Sequence, residues 1–264
     1  IKKLSSSFHK IESLITFINL HDLIFIKATK TKKHKVQFSG KYSHNINENN
    51  TVSKLLKILD EKNYLKGKKF YIKIYKNIPQ KSGMGGGSMN AASVLNFFIK
   101  KKFVDLNQNK IKNIANSVGK DVILGLEPKN TILSSNGSLT KAKKKLGFNV
   151  LATKPNFGCS TKYIYSKVRS FSKEKYKHPK ISLLGRSNII HSNNDLEKVA
   201  FKKYPKLKNL KSFLSEIKNV IFVRMTGSGS SIVAYFLSKK AAVNGARVFK
   251  RKFKNYWYIV SKTI

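Results

Sequence analysis

Gly83, Gly85, Gly86 and Gly87 fall within five residues, in the run Ile78-Pro-Gln-Lys-Ser-Gly-Met-Gly-Gly-Gly-Ser88. Glycine tolerates positive φ and lets a backbone approach a ligand with no Cβ in the way. Before the run, Phe70, Ile72 and Ile74 alternate with Tyr71, Lys73 and Tyr75, which predicts a strand over 69–75. After it, Ala91, Ala92, Val94, Leu95, Phe98 and Ile99 recur at helical spacing, which predicts a helix over 88–101. A helix start presents unpaired N–H groups and a partial positive charge, so a glycine loop at this junction is suited to cradling phosphate. Ser88 is placed to cap that helix and to contact phosphate or a metal. No Gly-Lys-Ser/Thr tripeptide ends the loop, which excludes a standard P-loop, and the spacing does not fit Gly-x-Gly-x-x-Gly. A plain tight turn would need fewer glycines.

The rest of the chain predicts a mixed architecture. Residues 33–39 read as a strand and 51–59 as a helix with Val52, Leu55, Leu56 and Leu59 on one face. A short helix over 111–118 closes at Gly119. Strands are expected over 149–153, 220–224, 232–236 and 257–260, and helices over 195–201, 207–217 and 239–248. Residues 225–231 form a second glycine turn, between two of these strands. The pattern implies an α+β fold in two halves, 1–147 and 148–264, with a cleft between them.

Composition narrows the partners. The 264 residues include 54 Lys+Arg against 12 Asp+Glu, a formal net charge of +42. At 41% hydrophobic the chain can still build a core and is not a disordered basic tail. Only Arg169, Arg186, Arg224, Arg247 and Arg251 are arginine, the residue best suited to bidentate phosphate and base contacts. The lysines occur in almost every segment, and Lys, Asn and Ile share A/T-rich codons, so the surplus reads as genome composition, with no specific nucleic-acid partner expected. Such a field would also attract small anionic substrates. A lone Cys159 excludes an internal disulfide and a cysteine-rich zinc site. His9, His21, His34, His44, His178 and His191 lack metal-ligand spacing, and no protein metal cluster is expected. The longest apolar stretch, 14–26, is interrupted by Asn19, His21 and Asp22 and is too broken to span a membrane. No signal peptide heads the chain, and a reducing, cytoplasmic setting is expected.

The glycine loop resembles the phosphate loop of the GHMP kinases. Ile78-Pro79, Gly83-Met84-Gly85-Gly86-Gly87-Ser88 and Met89-Asn90-Ala91-Ala92 are similar to the family's Ile-Pro-x-Gly-x-Gly-Leu-Gly-Gly-Gly-Ser-Ser-Asp/Asn-Ala-Ala. Gln80, Lys81 and Ser82 replace small residues, and Met89 replaces a serine. The resemblance implies that Pro79 to Met89 bind ATP with Mg²⁺. Asp121 and Glu127 are the only acids between Asp105 and Glu174. On residue type alone Asp121 reads as a turn residue. Val118-Gly-Lys-Asp-Val122, however, resembles the family's Gly-x-Asp-Val-Pro signature, which implies that Asp121 is the catalytic base, kept ionised among cations. Ile123 stands where the family has proline.

Three further segments carry the resemblance. Ser7-Phe8-His9-Lys10-Ile11 is similar to Gly-Tyr-His-x-Leu, which implies that Phe8 and His9 line a cytidine pocket. Pro155 to Tyr165 is similar to a segment whose threonine and final aromatic lie at the nucleoside, implying those roles for Thr161 and Tyr165. On residue type alone Tyr165 reads equally as core. Thr226-Gly227-Ser228-Gly229-Ser230 is similar to the family's third motif, on the substrate side of the phosphate site, and reads equally as a hairpin loop. Asn193 to Glu197 matches a family helix start, with Asp195 as cap and Glu197 as helix support.

Together these imply the GHMP-kinase fold, with a ribosomal-protein-like α+β N-terminal half and a ferredoxin-like C-terminal half. The implied reaction is ATP-dependent phosphorylation of the 2-hydroxyl of 4-diphosphocytidyl-2-C-methyl-D-erythritol, a cytidine-diphosphate methylerythritol. Alternatives are another GHMP small-molecule kinase, or a basic nucleic-acid-binding protein sharing the N-terminal fold. The family also carries a first strand with Pro-x-Lys-Ile/Leu-Asn, whose lysine is a second catalytic group. Lys2 and Lys3 lie too close to His9 to supply it. The chain is therefore expected to lack that strand, as an incomplete gene would, and to phosphorylate little without it.

Overall fold

A computed structural model describes the chain except residues 1, 4–8, 144, 170, 171 and 178, and describes the backbone alone at Lys2, Lys3, His9 and Lys10. In chain order the elements begin with β1 (Lys2–Lys3), β2 (His9–Lys10), β3 (Ser13–Ile15), β4 (Leu23–Thr29) and β5 (Lys35–Ser39). Then come α1 (Thr51–Glu61), β6 (Lys69–Tyr75), α2 (Gly86–Lys100), α3 (Gln108–Val118), α4 (Val122–Gly125), β7 (Asn130–Leu133) and β8 (Leu139–Ala142). The remainder is β9 (Asn149–Lys154), α5 (Thr161–Ser166), a 3-10 turn (Ile181–Leu184), α6 (Arg186–His191), α7 (Leu196–Lys203) and α8 (Pro205–Ser215). It ends with β10 (Phe222–Met225), β11 (Ile232–Phe236), α9 (Lys239–Lys252) and β12 (Trp257–Lys262). Among the described residues no helix is long and apolar enough to cross a membrane.

The chain divides into two compact units. The smaller holds Leu20–Gln80 and Gly85–Pro128. Its sheet runs β4-β6-β5, with β4 antiparallel and β5 parallel to the central β6. The alternation in β6 decides which face is covered. Phe70, Ile72 and Ile74 are fully buried, against Leu55 and Leu59 of α1 and Leu95 and Phe98 of α2. Asn50 starts α1 by accepting the Val52 and Ser53 N–H groups, both at 3.0 Å. Gly119 closes α3 as expected, its N–H bonded to the Ala115 carbonyl at 3.1 Å.

The larger unit holds Ile1–Asn19, Lys81–Met84 and Lys129–Ile264. Its antiparallel sheet runs β10-β11-β9-β12. Leu151, Ile232, Ala234 and Phe236 bury one face against Leu207, Leu210 and Leu214 of α8 and Ala242 and Phe249 of α9. A second sheet, β3-β7-β8, lies in the same unit.

Candidate active site

In the smaller unit the loop delivers the chain into α2. Gly85 occupies the cap position at φ +68, with no side-chain cap bond. The expectation that Ser88 caps the helix is corrected: the turn into α2 needs a left-handed residue, glycine fills it, and Ser88 is the third residue of the helix. The first α2 N–H to reach a partner one turn back is that of Met89, bonded to the Gly85 carbonyl at 3.0 Å. This is the ordinary unpaired start of a helix, and nothing lies within 4 Å of where a Gly85 Cβ would project. The donors and the open space fit a phosphate group. Thr51 Oγ1 donates to the Gly87 carbonyl at 2.6 Å and ties this start to α1.

Asp121 opens α4, which packs tightly on α2. A Cβ at Gly125 would lie 2.7 Å from Ala92 Cβ and 2.8 Å from Met89 Sδ. One at Gly119 would lie 3.9 Å from Ser88 Oγ, so the segment leading to Asp121 runs beside the α2 start. Asp121 is exposed at its residue surface, although neighbouring protein crowds its carboxylate. Burial pushes its carboxyl above the ordinary aspartate range, and Lys120 only partly opposes this. Desolvation, which sequence reasoning did not weigh, thus outranks the cation.

In the larger unit the loop tip is laced to the second glycine turn. The Ser230 and Ser231 N–H groups donate to the Lys81 and Ser82 carbonyls at 3.3 and 3.1 Å. Thr226 Oγ1 donates to the Gly83 carbonyl at 3.0 Å. Gly227 and Gly229 take φ +51 and +84 to make this turn. Thr161, first residue of α5, shares a 2.8 Å hydrogen bond with Ser228. Beside them a cleft of about 400 Å³ is lined by Lys81, Gly158, Cys159, Ser160, Thr161 and Tyr204. Burial raises the Cys159 thiol to about 11, against the pull of Lys154, which leaves it a poor nucleophile. A cleft of about 470 Å³ between Phe201 and Glu216 touches none of the expected residues.

The remaining expected residues divide. Pro79 is buried, and Gln80 spends its amide on the Tyr42 and His44 carbonyls at 3.0 and 2.6 Å. Tyr165 is half-buried on the core beneath α7 and α8. Phe8 lies outside the described residues, and His9 is described by its backbone alone, paired with Lys3. Among the described residues no cluster of His, Cys, Asp or Glu could hold a metal ion.

At the α7 start one assignment is corrected, while Glu197 stands in the first turn as expected and has further partners. Asp195 makes no side-chain cap bond, and accepts from the Ser172 hydroxyl at 2.7 Å instead. Leu196 N–H is bonded by Asn194 Oδ1 at 3.0 Å. Glu197 accepts the Met225 N–H at 2.8 Å and Lys211 Nζ at 2.5 Å, while the Asn194 amide donates to the Met225 and Gly227 carbonyls, both at 2.8 Å. Asn194 and Glu197 therefore hold the entry of the second glycine turn.

Residues 50–127 match the family model for the GHMP kinases N terminal domain, and residues 177–255 match that for GHMP kinases C terminal. The chain is 58% identical over 259 residues to a 4-diphosphocytidyl-2-C-methyl-D-erythritol kinase of Pelagibacter ubique, covering 98% of this chain and 92% of that protein. The chain belongs to the GHMP kinase family. It is also 30% identical to the enzyme of the same name from Petrotoga mobilis, over 88% of this chain and 91% of that one. Among solved structures, a 4-(cytidine 5'-diphospho)-2C-methyl-D-erythritol kinase superposes with TM-score 0.76 at 21% identity, covering 98% of this chain and 92% of that one. Methanococcus jannaschii mevalonate kinase superposes at 0.65 with 14% identity, covering 96% and 92%. The two superpositions show the GHMP-kinase fold. As a member of this family the chain is an ATP-dependent kinase of a small molecule.

Proposed function

We propose that this chain transfers the terminal phosphoryl group of ATP to the 2-hydroxyl of 4-diphosphocytidyl-2-C-methyl-D-erythritol, in non-mevalonate isoprenoid synthesis. The 58% identity to a kinase of that name, over nearly the whole chain, carries the reading. Residues 1–147 and 148–264 are taken as the two family domains, and the matched segments 50–127 and 177–255 fall on either side of that boundary.

Residues from Pro79 to Met89 bind the ATP phosphates, chiefly through the backbone N–H groups at the α2 start. Mg²⁺, when bound, neutralises charge on the phosphates. It needs oxygen ligands, and the Ser88 hydroxyl is the side-chain donor offered within the loop's helical end. Asp121 accepts the proton of the attacking hydroxyl. Its raised carboxyl brings it closer in basicity to that task than an ordinary aspartate. His9, Thr161 and Tyr165, with Phe8, hold the cytidine end, and Gly227 to Gly229 close over the substrate.

Tyr165→Leu tests the cytidine assignment, because leucine fills core volume but offers no flat ring. Base stacking is worth about 1–3 kcal/mol, so KM for the cytidine substrate should rise about 5- to 100-fold with KM for ATP unchanged. A proportional change in both constants, or in neither, would return Tyr165 to the core alone.

A further inference from the structure

We infer that Asp22 is a positioning residue for the glycine loop, an inference that rests on the loop being the ATP site. The antiparallel register pairs Leu23 with Tyr75, so Asp22 lies where β6 ends and the chain leaves for the loop. Its side chain is fully buried. Oδ1 accepts two backbone N–H groups on the way into the loop, from Asn77 and Ile78, each at 2.8 Å. Oδ2 accepts from Lys76 Nζ and, at 2.9 Å, from the amide of Asn90. Asn90 is the fifth residue of α2, on the far side of the loop. One carboxylate therefore holds the chain entering the loop and the helix leaving it.

A purely structural role explains less. Burying a carboxylate and the Lys76 side chain, 6% exposed, costs desolvation, and apolar residues often replace such a pair without loss of stability. The Asn77 and Ile78 N–H groups and the Asn90 amide nevertheless need one acceptor, and Asp22 supplies it from a single point. A cradle of backbone N–H groups binds phosphate well only if those groups are held in place beforehand.

The test compares Asp22→Ala with Asp22→Ala/Lys76→Met. The single variant strands a buried ammonium and should lose much of its melting temperature. The double variant removes that charge and should regain part of it, the three donors still lacking their acceptor. In both, kcat/KM for ATP should fall by about 10²-fold, the scale of a displaced reacting group, while KM for the alcohol substrate holds. Asn90→Ala, which keeps the ion pair and cuts only the tie to α2, should raise KM for ATP by a smaller factor. Recovery of kcat/KM for ATP together with melting temperature in the double variant would overturn the inference, as would an unchanged KM in Asn90→Ala. Gly85→Ala separates the two readings. If it leaves KM for ATP unchanged, the loop is not the ATP site and both fall; if it raises KM while the Asp22 and Asn90 variants do not, only the positioning role falls.

Discussion

Asp121→Asn is expected to lower turnover by about 10²–10⁴-fold, the usual worth of a positioned general base, with the fold intact. The structure gives a reason for the fold to survive. Asp121 holds its proton more tightly in the folded chain than in the unfolded one, because burial raises its carboxyl. Between the two values the native state binds more protons, so this group's contribution to stability falls as pH rises through that window. Asparagine removes that contribution, and the variant should melt at or slightly above the parent temperature at neutral pH. The same shift sets the acid limb of kcat/KM: activity should fall as pH drops through a value above the ordinary aspartate range, and the residual activity of the variant should lack that limb. A melting temperature that collapses in Asp121→Asn would make this residue structural.

Gly83→Ala is the second large effect. Gly83 has φ +73, and a Cβ there would lie 2.3 Å from the Thr226 carbonyl oxygen and 2.8 Å from that of Gly229. Left-handed backbone costs an L residue about 1–2 kcal/mol, and forcing atoms into filled space typically adds about 1–3 kcal/mol. Both colliding atoms are backbone, so the loop tip or the second glycine turn must move. Gly85→Ala shares the left-handed cost, at φ +68, but meets nothing within 4 Å. Thermal melting should therefore place Gly83→Ala several degrees below Gly85→Ala, while both weaken ATP. Equal melting temperatures would mean that the lacing between the loop tip and the turn yields freely.

The segments that sequence reasoning placed well are those whose pattern is also their burial. Residues 69–75 and 232–236 coincide with β6 and β11, and the faces of α1 and α2 follow their apolar spacing. β4 was missed for the opposite reason. Leu23 and Phe25 point outward and are 44% and 61% exposed, so apolar side chains lie on both faces and the alternation disappears. The β7–β8 hairpin did carry a signal, Asn136-Gly137, and Gly137 takes φ +84 there. Asp22 also left a trace, as an acid breaking a long apolar run. Its partners, however, are 54 to 68 residues away in sequence, beyond any local pattern. Glu197 was legible only in part: it stands in the first turn of α7 as its position suggested, but its bonds to the Met225 N–H of β10 and to Lys211 join segments no local pattern connects.

Substrate choice is read out by ADP release with three alcohols under identical ATP and Mg²⁺: 4-diphosphocytidyl-2-C-methyl-D-erythritol, mevalonate and homoserine. Whatever turnover the chain shows should be confined to the cytidine compound and fall about 10²–10⁴-fold in Asp121→Asn, with none above background for the other two. Turnover of mevalonate or homoserine equal to that of the cytidine compound would contradict it.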